Sequence, residues 1–174
     1  MASLTIISGT NRPGSNTEKV AKYYASVLAG RGYEVRYLSL DRLPADLLST
    51  DLYGKRSESM QAIIDEYIDP VQRFIFVSPE YNGSFPGILK VLLDSVNPKY
   101  WADKDACLVG VSTGRAGNLR GMEHLTNILH YLKMHVFHNK LPISRVDTLY
   151  QGDVLTDEET KKAVDWQLDG FSRF

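Results

Sequence analysis

The chain alternates between two hydrophobic periods. Short apolar runs of strand length give way, again and again, to stretches in which apolar residues recur every three or four positions. Leu4 to Ile7 is the first run. From Asn16 the period changes, with Val20, Tyr24, Val27 and Leu28 on one helical stripe that Gly30 and Gly32 end. Glu34 to Leu40 alternates apolar and charged residues and predicts a second strand. Asp41 to Lys55 contains Pro44 and Gly54 and has no period. Met60, Ile63, Ile64, Tyr67 and Ile68 stripe a helix that Asp69-Pro70 stops, because a residue before proline is pushed out of the α region. Arg73 to Val77 is a third strand, Gly87 to Val96 a partly buried helix, and Ala106 to Val111 a fourth strand. Met122, Leu125, Leu129 and Leu132 stripe another helix, and Val136 and Phe137 sit in a short fifth strand. Thr156 with Glu159 reads as a capping box for a last helix striped by Val164, Leu168 and Phe171.

This order of elements predicts a three-layer α/β sandwich, one domain over residues 1–174, with a five-stranded parallel sheet covered on both faces. Right-handed crossovers leave few topologies, and the flavodoxin-like order 2-1-3-4-5 fits best. In that order the crossovers after strands 1 and 3 leave in opposite directions, so a crevice opens between their carboxyl ends. The loops facing it are "SGTNRPGSN" (Ser8–Asn16) and "SPEYNGSFPG" (Ser78–Gly87).

Composition narrows the function. Of 174 residues, 43% are hydrophobic and 24% charged, and the net charge is −1, so no broad field draws the protein to nucleic acid or an anionic membrane. No run is long enough to span a bilayer, and the N-terminal residues do not read as a secretory signal. A lone cysteine, Cys107, forms no internal disulfide and fits a reducing, cytoplasmic setting; inside an apolar strand it is expected to be inert.

The first loop is not a Walker A loop, because Ser15-Asn16-Thr17-Glu18 stands where Gly-Lys-Ser/Thr would be needed. Nor does the spacing of Gly9 and Gly14 match G-x-G-x-x-G. It is a helix N-terminus rich in hydroxyl and amide groups, suited either to a terminal phosphate or, through Ser15 and Glu18, simply to capping. In the second loop Asn82-Gly83 is a turn pair. Ser84 is placed to cap the following helix and Pro86 suits its first turn. Tyr81 and Phe85 either border a flat ring or fold into the core. A third loop, "STGRAGN" (Ser112–Asn118), has glycines that permit close backbone approach. His130, His135 and His138 match no metal-ligand spacing, and no G-x-S-x-G elbow is present, so neither a metal site nor a hydrolase is expected.

With these three loops the chain resembles the NAD(P)H-dependent FMN reductase family, above all through "PEYNGSFPGILKVLLD" (Pro79–Asp94). The resemblance implies that FMN is bound without a covalent link and that NAD(P)H, as co-substrate, reduces it. Electrons then pass to a small acceptor such as a quinone, free flavin, an azo compound or an oxidised metal species. It assigns the FMN phosphate to Ser8, Thr10, Arg12, Ser15, Asn16 and Thr17. The isoalloxazine falls to Pro79, Glu80, Tyr81, Asn82, Gly83 and Ser84, and its pyrimidine side to Ser112, Thr113, Gly114 and Gly117. No side chain is required as a catalytic acid or base. Two positions depart from the family's pattern. Ser95, not Trp, follows Asp94, and Ala116-Gly117 replaces paired glycines. The alternatives are a flavodoxin-type carrier, against which the near-neutral charge argues, and an FMN-binding module without turnover. Arg12, Arg115 and Arg120 are candidates for meeting a 2′-phosphate. A homodimer or homotetramer is expected, with the helix Gly87–Val96 and Tyr100-Trp101 near the interface.

Overall fold

In a computed structural model, which describes residues 3–52 and 56–174, β1 (Ser3–Ser8) lies between β2 (Glu34–Ser39) and β3 (Arg73–Pro79), parallel to both. β4 (Asp105–Val111) pairs with β3 along its whole length. The fifth place is shared by two short segments. β5 (His135–Val136) lies beside Asp105 and Ala106, and β6 (Leu141–Ile143) beside Val109 to Val111. The order β2-β1-β3-β4-β5 is the expected one. β6 was not foreseen because Pro142 argues against a strand. At the outer edge of a sheet, however, a proline forfeits no ladder bond. A small hairpin, β7 (Tyr150–Gln151) with β8 (Val154–Leu155), follows and was not foreseen either.

The helices are α1 (Asn16–Gly30), the single turn α2 (Leu47–Thr50), α3 (Glu58–Ile63, continued by a π turn through Ile68), α4 (Gly87–Ser95), α5 (Leu119–Tyr131) and α6 (Glu158–Ser172). The stretch expected to be irregular, Asp41 to Lys55, holds only a 3-10 turn at Leu40–Arg42 and α2; its residues 53–55 lie outside the described residues.

Strand periodicity divides the core in two. Phe74 and Phe76 of β3 point to one face, where they pack with residues of α3, α4 and α5. Ile75 and Val77 point to the other, with Val20 and Tyr24 of α1 and Val164 and Leu168 of α6. Both faces of β3 and β4 are therefore buried, as parallel strands require. A buried polar link fixes the second layer. The Tyr24 hydroxyl donates to Gln167 Oε1 (2.6 Å), and Gln167 Nε2 donates to the Leu108 and Asn139 carbonyls (3.0 and 2.8 Å).

Three expectations need correction. Trp101 is fully buried, its ring 5.3 Å from Phe74 and 6.3 Å from Phe76, so it is a core residue and not an interface anchor. The cap of α6 is Asp157, whose side chain accepts from Thr160 N (2.8 Å). Thr156 lies one residue too early, and its hydroxyl instead closes the hairpin onto the Leu149 carbonyl (3.2 Å). Ser84 does not cap α4. Pro86 holds that place, and Ser84 Oγ instead pairs with His124 Nδ1 (2.8 Å).

Candidate functional site

The helix after β1 packs on one face of the sheet and the helix after β3 on the other, so their loops part at the carboxyl ends of the two strands. A crevice of about 640 Å3 opens there, a size suited to a small-molecule or cofactor site. It is lined by all three loops singled out from sequence: Arg12 to Thr17, Pro79 to Gly83, and Ser112 to Gly114, with Val111 and Val146. Twelve of the sixteen residues assigned through the family resemblance thus come together. Ser8, Thr10, Ser84 and Gly117 do not line the crevice. Ser8 is buried at the end of β1, its hydroxyl without a hydrogen bond of normal geometry among the described residues. Burial raises the Tyr37 phenol above its ordinary value, and the nearby Ser8 hydroxyl acts the other way. Thr10 is also buried, but its hydroxyl meets the Tyr81 hydroxyl at 2.8 Å and so ties the first loop to the second. Gly117 is packed against Pro142, and its N–H donates to Ser112 Oγ (3.1 Å).

Each loop presents backbone donors to the crevice. Ser15 caps α1 as expected, its Oγ accepting from Glu18 N (3.1 Å). Glu18 does not complete the box. Its carboxylate pairs with Lys22 at 2.6 Å. The N–H groups of Gly14, Asn16 and Thr17 have no acceptor among the described residues, and they stand at the positive end of the helix dipole. Gly9 lets this loop lie against β3. Its N–H donates to the Val77 carbonyl (2.8 Å), and a Cβ there would come within 2.9 Å of the same oxygen.

The second loop is a tight turn. Tyr81 and Ser84 exchange both backbone hydrogen bonds (2.8 and 3.1 Å), and Asn82 and Gly83 have φ of 51° and 79°. Those values explain the Asn-Gly pair, because two successive left-handed residues are what a type I′ turn demands. The turn leaves the N–H groups of Asn82 and Gly83 free. Tyr81 lines the crevice, whereas Phe85 packs against the core. In the third loop Ser112 Oγ donates to the Gly114 carbonyl (3.1 Å), and the Thr113 and Gly114 N–H groups stay unpaired.

One residue escaped the sequence reading. Asn118 is fully buried with φ of 63°, and its Nδ2 donates to the Ser78 and Pro79 carbonyls, both at 2.9 Å. It binds the end of the third loop to the start of the second. The only sequence signal was an asparagine just before a helix, which reads as an ordinary cap. Of the candidate arginines, Arg12 lines the crevice, Arg115 is exposed, and Arg120 lies over Gly83. Cys107 is buried in β4, and burial pushes its thiol up, so it takes no part.

The donor set fits FMN. Unpaired amides at a helix N-terminus match a terminal phosphate, and the amides of two tight loops match the carbonyl-bearing edge of a flat ring. Charged lining is sparse, with Arg12 and Glu80 the charged residues around the crevice. No helix among the described residues is long and apolar enough to cross a membrane.

Comparison with known proteins points to the same fold and the same cofactor. The profile of the NADPH-dependent FMN reductase family matches residues 2–147. An NAD(P)H:quinone oxidoreductase from Solanum tuberosum is 37% identical over 145 residues, covering 76% of this chain and 71% of that protein. An NAD(P)H-dependent FMN reductase from Pseudomonas aeruginosa is 29% identical over 168 residues, 93% and 89% of the two chains. Among solved structures, the flavoenzyme NAD(P)H:(acceptor) oxidoreductase of Paracoccus denitrificans superposes with a TM-score of 0.79 at 25% identity, covering 99% of this chain and 98% of that one. The protein therefore belongs to the NADPH-dependent FMN reductase family and is an NAD(P)H-dependent oxidoreductase with FMN as its cofactor.

Proposed function

We propose that the crevice between β1 and β3 holds the FMN, and that the electron acceptor is a flat, uncharged molecule of the quinone class. The observation that carries this reading is the lining itself, with neutral backbone donors from three loops and only one guanidinium and one carboxylate beside them. Bound FMN would supply the redox chemistry, hydride acceptance from NAD(P)H and electron transfer to the acceptor. The protein's own groups bind and aim. The N–H groups of Gly14, Asn16 and Thr17 would hold the phosphate, aided by the dipole of α1. Those of Asn82, Gly83, Thr113 and Gly114 meet the ring, and Tyr81, held by Thr10, walls it. No lining side chain has to exchange a proton for hydride transfer. A charged acceptor would find no matching cluster of charge in the crevice, whereas a quinone needs only a flat open face. A carrier role is not favoured in a chain of a reductase family. The quinone oxidoreductase named among the relatives supports the choice of acceptor.

We further infer that the protein is cytosolic and works as a homodimer or homotetramer. The surplus apolar face of α4 supports assembly. Leu89, Leu92 and Leu93 are buried within the chain, but Ile88 and Val91, with nearby Tyr100, are only partly covered. Trp101 contributes nothing to that face.

Three outcomes follow. Asn16→Ala, which keeps the backbone N–H but removes the side-chain amide that the family resemblance assigns to the phosphate, weakens FMN binding by about tenfold, the size expected for losing one hydrogen bond to a charged group, while melting of the flavin-free protein is unchanged. Ser15→Ala, which removes a cap, lowers the stability of the flavin-free protein by about 1 kcal/mol. Flavin titration and denaturant melts of both variants check this pair. Second, in steady-state assays of the FMN-loaded protein, a benzoquinone gives a kcat/KM at least about tenfold above an azo dye, free flavin or a ferric chelate. Equal turnover of the ferric chelate would remove the quinone assignment. Third, the parent sediments as a dimer or larger at micromolar concentration and Val91→Glu sediments as a monomer. A monomeric parent would end the assembly proposal.

A further inference from the structure

A second cleft, of about 670 Å3, adjoins the first. Gly14 and Ser15 belong to both. From there it follows the face of α1 that carries Glu18, Lys19, Lys22, Tyr23 and Ser26, a run of about 16 Å from Ser15 at 1.5 Å per residue. Its opposite wall is the β7–β8 hairpin, with Asp153, Val154 and Leu155, and Lys161 of α6 also lines it.

The lysines differ in what they are free to do. Lys19 belongs to the wall, because its Nζ donates to the Gly152 carbonyl (2.9 Å) and pairs with Asp153 (3.0 Å), holding the hairpin across the helix. Among the described residues, Lys22 and Lys161 form ion pairs with carboxylates on their own helices, Glu18 at 2.6 Å and Glu158 at 2.7 Å. Exposed pairs of this kind hold weakly and yield to a doubly charged phosphate. The half-buried Tyr23 ring and the side chains of Val154 and Leu155 offer flat apolar walls between these ammonium groups. Ammonium groups beside an aromatic wall, in a cleft that opens from the phosphate end of the crevice, match an adenosine phosphate.

We propose that this second cleft binds the adenosine-phosphate half of the pyridine dinucleotide, with Lys22 and Lys161 as its phosphate contacts. The proposal rests on the reading of the first crevice as the FMN site. The two clefts share Gly14 and Ser15, so a dinucleotide with its nicotinamide at the ring end would cross these residues to lay its adenosine along α1. Among the described residues no arginine lines this cleft, so any preference for a 2′-phosphate is set by lysine, not by Arg12, Arg115 or Arg120.

Calorimetric titration of the FMN-loaded protein with adenosine 2′,5′-bisphosphate tests the idea without hydride transfer, because the probe carries no nicotinamide. The bisphosphate is expected to bind at least about fivefold more tightly than 5′-AMP, since it offers both lysines a phosphate. Lys22→Gln and Lys161→Gln are each expected to weaken it by about tenfold and to raise the KM for NADPH without changing kcat or the melting temperature. No binding, or binding that neither substitution weakens, overturns the proposal. FAD is the other source of the same chemistry. If both substitutions weaken FAD but leave FMN and the bisphosphate untouched, the cleft takes the flavin's own adenosine and the assignment to the donor falls. If the bisphosphate binds as expected but NADPH fails to reduce the flavin, the cleft stands and the reductase reading of the first crevice fails.

Discussion

The site depends on one buried amide. Asn118 Nδ2 donates at once to the Ser78 and Pro79 carbonyls, where β3 ends and the second loop begins. Those carbonyls are deep in the protein, and although the Pro79 carbonyl also accepts from the Ser78 hydroxyl (3.2 Å), each bond from the amide contributes about 0.5–1.5 kcal/mol. The same residue opens α5 in a left-handed conformation, so the third loop must finish where the second starts. With that junction fixed, Thr10 and Tyr81 join the first loop to the second across the crevice. Three segments far apart in sequence are thereby held at one place by two side-chain contacts.

This arrangement explains why the crevice can be built from backbone groups. A loop donor is useful to a cofactor only if it is both unpaired and held still. The tight turn at Asn82-Gly83 points two N–H groups away from its own hydrogen bonds, and the start of α1 leaves its first N–H groups unpaired by helix geometry. Neither case needs a charged side chain. A cofactor that brings its own chemistry asks only for such placement, which is consistent with a lining that has no cluster of acids, bases or nucleophiles.

The sequence disclosed the parts that follow from period and turn chemistry. Phe74 to Val77 had to be a strand buried on both faces, Asn82-Gly83 had to be a turn, and Ser15 had to cap a helix. Each rests on interactions within a few residues. What stayed hidden depends on contacts across the chain. β6 stayed hidden because a strand that contains Pro142 is acceptable only at the sheet edge, a place decided by its distant pairing with β4. Trp101 looked like a surface anchor because nothing local reveals that Phe74 and Phe76 enclose it. Thr156 and Asp157 are equally good caps on paper, and the hairpin's claim on Thr156 decides between them. Asn118 was invisible for the same reason, since its partners lie about forty positions earlier.

The central claim is that the Asn118 amide, through the loops it joins, makes the crevice able to hold FMN. Asn118→Gly tests it most directly, because glycine keeps the left-handed backbone without strain and removes only the amide. The account predicts that FMN titrated into this variant binds at least about tenfold more weakly than into the parent. It also predicts faster hydrogen exchange at the Tyr81 and Ser84 amides, whose hydrogen bonds close the turn of the second loop, than in the parent. Unchanged FMN affinity, with a loss confined to global stability, would contradict it and leave Asn118 as a core residue only.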